Sequence, residues 1–114
     1  MTDFSKYIGK LIEVVIDRPL GTKHPKHDIY YEVNYGYVPD TISGDGEEID
    51  VYLLGESKPV ERSVGKCIAI IHRLDDDDDK LIVATPGAAE DLDDGAIMKM
   101  VNFQEKYFKS KILR

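Results

Sequence analysis

The sequence predicts a mainly β fold, a small closed barrel of about five strands covered by one C-terminal α-helix. Five apolar or alternating segments, separated by glycine, proline and acidic turns, fill the first three quarters of the chain. The last segment changes to a helical period. A chain of 114 residues with 42% apolar composition is long enough for one hydrophobic core, so we expect a single domain over residues 1–114.

The first two strands are predicted at residues 10–17 and 29–38. The segment "KLIEVVID" is rich in β-branched residues and stops before Pro19, because proline cannot donate to a strand ladder. A polar loop follows. In "IYYEVNYGYV" the aromatic and β-branched residues alternate with polar ones, which indicates a second strand, bent at Gly36.

Three more strands follow, at residues 47–55, 66–74 and 80–86. In "EEIDVYLLG" every second residue is apolar, so Asp50 should emerge on the face opposite the apolar stripe. That stripe consists of Ile49, Val51 and Leu53. The segments "KCIAIIHRL" and "KLIVATP" are predicted to pair as a hairpin, whose loop is the aspartate run at 75–79.

The C-terminal helix is predicted from Gly95 to about Ser110. Asp93 or Asp94 is suited to cap its start, and lysines near its end suit the C-terminal dipole. The predicted buried face consists of Ile97, Met100, Val101, Gln104 and Phe108, with Phe103 and Tyr107 on an adjoining stripe.

The overall charge restricts the classes of partner. A net charge of −7 disfavours nucleic acid and anionic membranes, because both require a basic surface. Cys67, the only cysteine, lies in an apolar run, where packing is its expected role. We expect no signal peptide and no membrane span, since no stretch of about 20 apolar residues occurs. The expected location is therefore cytoplasmic.

Two acidic clusters are the strongest chemical signal. "DGEEID" at 45–50 and "DDDDDK" at 75–80 are each, taken alone, typical of a solvated turn or loop. Should a barrel bring them together, their hard oxygen ligands could hold Mg²⁺ or a similar cation. A calcium loop of the EF-hand type is unsuitable, because Asp50 stands where that motif requires glycine. "HPKH" lacks a third nearby zinc ligand, and its His24 and His27 with their lysines instead offer local positive charge.

The region at 30–55, "YYEVNYGYVPDTISGDGEEIDVYLLG", resembles the signature of soluble family I inorganic pyrophosphatases. The resemblance extends more loosely through "IIHRLDDDDDKLIVATP" and "FQEKYFK". It implies a five-stranded OB-like closed barrel with the C-terminal helix packed on it, and a cytoplasmic enzyme. It also implies Mg²⁺ dependence, with Mn²⁺ or other divalent ions as alternatives, pyrophosphate as the substrate and a homo-oligomeric assembly.

The resemblance also implies roles for individual residues. Glu47 stands in place of the aspartate that orients and deprotonates the attacking water. The implied metal ligands are Asp45, Asp50, Asp75 and Asp78, with Asp79 left open as an alternative to Asp78. The implied substrate-binding residues are Lys23, Tyr35, Lys80, Tyr107 and Lys109.

The chain departs from the family pattern mainly in the residues that bind the substrate, which we call the substrate clamp. Lys23 stands where the family has an arginine, and Glu32 replaces the usual proline before NYGY. Glu47 reaches one methylene further than aspartate. Lys109 lies one place late, which turns it about 100° around a helix axis. The N-terminal Lys-x-Glu pair of the family is matched poorly. The metal ligands are therefore better supported than the clamp.

Three alternative functions remain open from the sequence. The same metal site could hydrolyse another phosphoanhydride or a nucleotide, since the clamp is the altered part. A non-catalytic barrel could bind divalent ions or a partner protein, because fold alone does not determine function. An OB-type barrel could bind single-stranded nucleic acid on its tyrosines, which the charge of −7 disfavours.

Overall fold

The computed structural model describes residues 4–42, 46–75, 78–88 and 92–114. A short 3₁₀ turn at Ser5–Tyr7 precedes the first strand. The strands and the helix are β1 (Leu11–Arg18), β2 (Asn34–Val38), β3 (Ile49–Leu54), β4 (Arg62–Arg73), β5 (Lys80–Ala84), α1 (Asp94–Glu105) and β6 (Ser110–Leu113). Within this part of the chain, no helix combines the length and apolar character required to traverse a bilayer.

The strands form one sheet that closes on itself. Their order is β1-β2-β3-β5-β4-β6, and an additional pairing of β1 with β4 closes the first five into a barrel. The predicted fold class, a five-stranded OB-like barrel with a C-terminal helix, is confirmed. The predicted hairpin is also confirmed, because β4 and β5 pair antiparallel. In contrast, β3 and β5 pair in parallel, and this register sets Asp50 directly opposite Lys80.

Alternate residues of the strands face two separate apolar clusters. The cluster that we call the interior cluster draws on all five barrel strands, and the second, which we call the helix layer, lies between the barrel and α1. The interior cluster consists of Phe4, Ile12, Val14, Ile16, Val38, Ile49, Val51, Leu53, Cys67, Ile70, Leu81 and Val83. The helix layer consists of Tyr31, Tyr35, Tyr52, Leu54, Ala69, Ile71, Ile82, Leu92, Ile97, Val101 and Phe103. The predicted faces of β3 are confirmed, because its apolar stripe lies inside and Tyr52 lies outside.

The end of the helix was predicted wrongly. The helix ends at Glu105 rather than near residue 110, and the chain then turns back to form β6. The backbone N–H groups of Tyr107 and Phe108 donate to carbonyls only three residues earlier, which tightens the last turn. β6 pairs antiparallel with the end of β4. Hydrogen bonds to that strand replace the helical ones. Met100 and Phe108, which were predicted on the buried face of the helix, are exposed.

The second strand is shorter than predicted. β2 begins at Asn34 rather than at residue 29, and Tyr30 instead forms an isolated bridge with Lys23. Gly36 lies against β1 so closely that a Cβ atom there would stand 1.9 Å from the carbonyl oxygen of Val15. Only glycine therefore permits β1 and β2 to pair at this point.

A β-bulge interrupts the pairing of β1 with β2. Ile16 pairs with Gly36, but the next pair is Arg18 with Tyr35, so Asp17 is an extra residue on β1. Ile16 faces the interior cluster, and strict alternation would direct Arg18 to that side as well. The bulge instead aligns Arg18 with Tyr35, which faces the helix layer.

Candidate active site

A pocket of about 640 Å³ opens on the outer face of the barrel, beside the C-terminal end of α1. All five barrel strands and the helix contribute side chains to its wall. One such residue from each element is Arg18, Tyr35, Asp50, Arg73, Lys80 and Gln104. Because several strands and the helix meet here, long-range pairing rather than local sequence determines the composition of this pocket.

Lys80 is the centre of one wall of the pocket. Its ammonium group donates to the Tyr35 hydroxyl at 2.7 Å. The same nitrogen lies 3.0 Å from a carboxylate oxygen of Asp50 and 3.0 Å from one of Asp78. The Lys80 side chain is 2% exposed, whereas both carboxylate side chains are 29% exposed and face the pocket. A buried ammonium is thus balanced by two carboxylates that remain accessible.

The pKa values at this wall follow from burial and charge. Burial raises the pKa of Asp50, the charge and hydrogen bond of Lys80 oppose that change, and Asp78 adds to it. Burial also raises the pKa of Tyr35 well above its usual value, and the charges of Asp50 and Asp78 raise it further. Tyr35 therefore remains a neutral phenol at physiological pH. Its hydroxyl accepts from Lys80 and retains an O–H group that can donate to an anion.

A buried ion pair supports this wall from below. Arg73 donates to both carboxylate oxygens of Glu105, from Nε at 3.2 Å and from Nη2 at 2.8 Å. Its Nη1 lies 3.4 Å from Asp78, and its guanidinium stacks 3.6 Å from the ring centre of Phe108. The side chains of Arg73 and Glu105 are 4% and 1% exposed. Burial opposes the charge of Arg73, but the hydrogen bond and charge of Glu105 outweigh it and raise the pKa of the guanidinium.

Hydrogen bonds continue from this ion pair through the helix layer. The Tyr52 hydroxyl donates to Glu105 at 2.5 Å and accepts from Gln104 Nε2 at 2.7 Å. Gln104 Oε1 in turn accepts from the Tyr31 hydroxyl at 3.0 Å. The Tyr31 hydroxyl accepts from Arg18 Nη1 at 2.9 Å. An unbroken series of polar contacts therefore connects Arg18 on β1 with the Lys80 wall, and it orients each of these hydroxyl groups.

The residues expected to form the site fall into three groups. The pocket wall brings together Tyr35, Asp50, Asp78 and Lys80, with the exposed Tyr107 on its rim. Outside the described lining of the pocket are Glu47, Lys23, Asp75 and Lys109. Asp45 lies outside the described residues.

The four expected site residues outside the described lining have different surroundings. Glu47 is exposed. The Lys23 side chain is 56% exposed and pairs with Asp28 at 3.5 Å. Asp75 and Lys109 contact each other, because the Lys109 backbone N–H donates to the Asp75 carboxylate at 3.2 Å.

The two aspartates that the sequence left open have different surroundings. Asp78 faces the pocket and contacts Lys80. Asp79 accepts from the backbone N–H of Arg73 at 3.0 Å and lies 2.9 Å from His72 Nδ1. Asp79 thus holds the hairpin loop against β4, and Asp78 is the carboxylate available to the pocket.

Sequence reasoning missed three polar residues of this region as site residues. Arg18 and Arg73 were treated as strand ends, and no local signal distinguishes them from surface arginines. Gln104 had a usable signal, since it is a polar residue on the predicted buried face of the helix. Such a residue requires buried hydrogen-bond partners, which Tyr31 and Tyr52 supply.

The donor set that faces the pocket fits a hard cation in its chemistry. Asp50 and Asp78 offer carboxylate oxygens, the ligands that Mg²⁺ and similar ions prefer. Within the described stretches of chain, no group of three or more His, Cys, Asp or Glu residues is arranged to hold a metal ion. Asp17 and Asp28 also line the described pocket, but Asp50 and Asp78 are the two carboxylates that meet at Lys80. The stretches at 43–45 and 76–77 contain further aspartates in sequence.

Comparisons with known proteins identify relatives of this chain. The family model described as inorganic pyrophosphatase matches residues 10–111. The inorganic pyrophosphatase of Rickettsia prowazekii (strain Madrid E) is 34% identical over 93 residues, covering 79% of this chain and 49% of the relative. That of Nanoarchaeum equitans (strain Kin4-M) is 31% identical over 93 residues, covering 69% of this chain and 58% of the relative. The chain spans about half the length of the curated relatives it matches.

Solved structures of similar fold carry the same name. The inorganic pyrophosphatase from Ehrlichia chaffeensis aligns with a TM-score of 0.72 and 18% identity, covering 93% of this chain and 86% of that structure. The enzyme from Neisseria gonorrhoeae aligns with a TM-score of 0.67 and 20% identity, covering 92% and 81%. At this level of identity the similarity establishes the shared fold.

Proposed function

This chain belongs to the inorganic pyrophosphatase family, and we propose that it hydrolyses inorganic pyrophosphate to two phosphates with Mg²⁺ as its cofactor. Family membership implies a divalent metal, and Mg²⁺ is the proposed ion. The observation that carries the proposal is the wall formed by Lys80, Tyr35, Asp50 and Asp78. It combines donors for a phosphate anion with carboxylates for a hard cation, which is the pair of functions that this reaction requires.

Lys80 and Tyr35 are the main proposed substrate-binding residues. Pyrophosphate carries several negative charges, so the barrier to attack by water is largely electrostatic. The Lys80 ammonium and the neutral Tyr35 hydroxyl are held by each other and by the two carboxylates, so both keep their orientation before substrate arrives. Donors that are already in place stabilise developing charge without the cost of reorganisation. Tyr107, on the rim of the pocket, is a further proposed contact.

The proposed metal ligands are Asp45, Asp50, Asp75 and Asp78. When bound, the divalent ion supplies positive charge to the phosphoryl oxygens and lowers the pKa of a water molecule. Asp50 and Asp78 receive the strongest support, because their carboxylates lie within 3.0 Å of one lysine nitrogen on the pocket wall. Asp75 is supported by the family resemblance, as is Asp45.

Glu47 is the proposed general base for the attacking water. A carboxylate can accept the proton as the bond to phosphorus forms, and it must lie within one hydrogen bond of that water. Lys23 and Lys109 remain proposed substrate contacts on the basis of the resemblance, and both are exposed. The proposed clamp is therefore weaker on this side than the wall at Lys80.

Several broader properties are part of the same proposal. We infer a single domain over residues 1–114, which is supported by one closed sheet with α1 packed on it. We also propose a cytoplasmic homo-oligomer that binds neither nucleic acid nor membrane. The net charge of −7 supports the absence of polyanionic partners.

Phosphate release from pyrophosphate tests the activity. Purified protein should release phosphate with Mg²⁺, and excess EDTA should reduce release to background. Glu47→Gln should lower kcat by about 10²- to 10⁴-fold, the usual contribution of a general base. Glu48→Gln is the matched control, since the neighbouring Glu48 is also exposed and has no proposed role.

Two results would contradict the proposal. One is the absence of phosphate release by protein that circular dichroism shows to be folded. The other is a higher kcat/KM for inorganic triphosphate or a nucleoside triphosphate than for pyrophosphate, which would assign the site to a different phosphoanhydride.

A further inference from the structure

We propose that Arg18 is a phosphate-binding residue of this pocket and contributes more to phosphate binding than Lys23, the residue for which the resemblance implied that role. This inference rests on the proposed function, because it concerns the same substrate in the same pocket. Arg18 lines the pocket, whereas Lys23 is exposed and lies outside the described lining. The argument depends on the backbone that directs Arg18, on its charge balance and on the groups that orient it.

The bulge in β1 delivers the guanidinium to the pocket. If β1 alternated regularly through Asp17, Arg18 would lie on the same interior side of the barrel as Ile16. Because Asp17 is accommodated in the bulge, Arg18 stands opposite Tyr35, whose hydroxyl is part of the Lys80 wall. β-Bulges are common next to active sites because they redirect one side chain. Arg18 and Lys80 therefore act on the same anion from two different strands.

Arg18 is the arginine of the pocket whose charge remains available. Arg73 is balanced by Glu105 and Asp78, and its guanidinium face is covered by Phe108. In the described ranges, Arg18 has no carboxylate within ion-pair distance, and the hydrogen bond recorded for its side chain goes to the neutral Tyr31 hydroxyl. Asp17 and Asp28 also line the pocket but form no ion pair with Arg18 in the described part of the chain, so this partly buried cation favours an incoming anion.

The Tyr31 hydroxyl fixes the orientation of that guanidinium. Its own hydrogen is donated to Gln104, so its lone pair points to Arg18 Nη1. The Arg18 guanidinium also lies 5.8 Å from the centre of the Tyr31 ring. One N–H group is thus used as an anchor, and the rest of the planar fork can bind phosphoryl oxygens in pairs. A preoriented fork loses less side-chain entropy on binding than a free lysine.

Lys23 has neither an available charge nor a fixed orientation. Its ammonium pairs with Asp28 at 3.5 Å, and it lies on the exposed loop that bridges to Tyr30. Lys23 carries the same charge as Arg18, so a comparison of the two positions separates the contribution of each to phosphate binding.

The test compares Arg18→Gln and Arg18→Lys with Lys23→Gln. Binding of methylenediphosphonate, a pyrophosphate analogue that is not hydrolysed, is measured by calorimetry with Mg²⁺, and KM and kcat are measured with pyrophosphate. Arg18→Gln should raise both the Kd and the KM by about ten- to a hundredfold, the usual effect of removing charged hydrogen bonds. Arg18→Lys should recover part of the loss, and Lys23→Gln should have a smaller effect than Arg18→Gln. Lys66→Gln, at an exposed lysine with no proposed role, should change either value by less than about twofold.

The outcomes separate this proposal from the proposed activity. The role of Arg18 is overturned if the Kd and KM of Arg18→Gln stay within twofold of the wild-type values. It is also overturned if Lys23→Gln changes them as much as Arg18→Gln does, or more. If wild type binds the diphosphonate without releasing phosphate from pyrophosphate, only the activity fails, and the binding comparison still decides the role of Arg18. Failure of folded wild type to bind the diphosphonate overturns both. Thermal unfolding of each variant confirms that it is folded.

Discussion

The interior cluster and the helix layer are built from the same strands but differ in chemistry. On β3, Val51 and Leu53 point into the barrel, while Asp50 and Tyr52 point to the pocket and the helix. The interior cluster is aliphatic apart from one phenylalanine and one cysteine. The helix layer is rich in aromatic rings and is crossed by the polar series from Arg18 to Lys80. One face of the barrel therefore supplies stability, and the other supplies chemistry at a cost in buried polar groups.

The largest effect is expected from breaking the ion pair of the helix layer. Glu105→Gln leaves the Arg73 guanidinium buried without its charged partner on α1, and removal of one partner of a buried pair typically costs about 3–5 kcal/mol. Urea unfolding measures this loss. We also expect lower kcat for the remaining folded protein, because Arg73 would shift toward Asp78 on the pocket wall.

The matched comparison for this variant is Glu61→Gln, which changes an exposed glutamate and should leave stability almost unchanged. A loss below about 1 kcal/mol in Glu105→Gln would show that the buried pair contributes no more than a surface pair does.

The next effect is expected inside the barrel. Leu53→Ala removes a fully buried side chain, and large-to-small changes of this kind cost about 2–5 kcal/mol. Stability should fall, whereas KM and kcat of the folded fraction should remain within about twofold of wild type. Val64→Ala, at an exposed apolar position, is the control. A tenfold change in kcat for folded Leu53→Ala would mean that the two faces of the barrel are not energetically separate.

The smallest effect concerns pH at the edge of the helix layer. His24 stacks against Tyr31, and burial lowers its pKa, as do Arg18, His27 and Lys26. The unfolded chain therefore binds a proton more readily, so this histidine reduces stability as pH falls through the usual histidine range near about 6.5. His24→Gln should unfold at a less pH-dependent temperature than wild type between pH 7.5 and 5. If the unfolding temperatures of the two proteins change equally with pH, His24 makes no such contribution.

The barrel could be predicted from the sequence because its signals are local. The alternation in β3 and the apolar runs of β4 and β5 report which side of a strand is buried, and the acidic loop between β4 and β5 indicates a hairpin. The wall at Lys80 was predicted as individual residues through the family resemblance. The geometry of this wall could not be predicted, because the parallel pairing of β3 with β5 brings together Asp50 and Lys80, which are 30 positions apart in sequence.

The remaining parts depend on competition between distant segments. The helix pattern continues past Glu105, yet the edge of β4 captures residues 110–113 as a strand. The sequence of residues 110–113 does not show that they will pair with β4, because that pairing depends on the position of β4 in the folded sheet. Likewise, the partners of Gln104 come from β3 and from the loop before β2, so its polarity was visible while its role was not.

The extra residue in β1 also affects how such chains diverge. Loss of the single codon for Asp17 would remove the bulge and leave the arginine directly after Ile16, where alternation keeps it on the pocket side, opposite Tyr35. The charge of this pocket therefore tolerates a one-residue change in the length of β1 at this point. An alignment that places no gap here would assign Arg18 to the wrong side of the barrel.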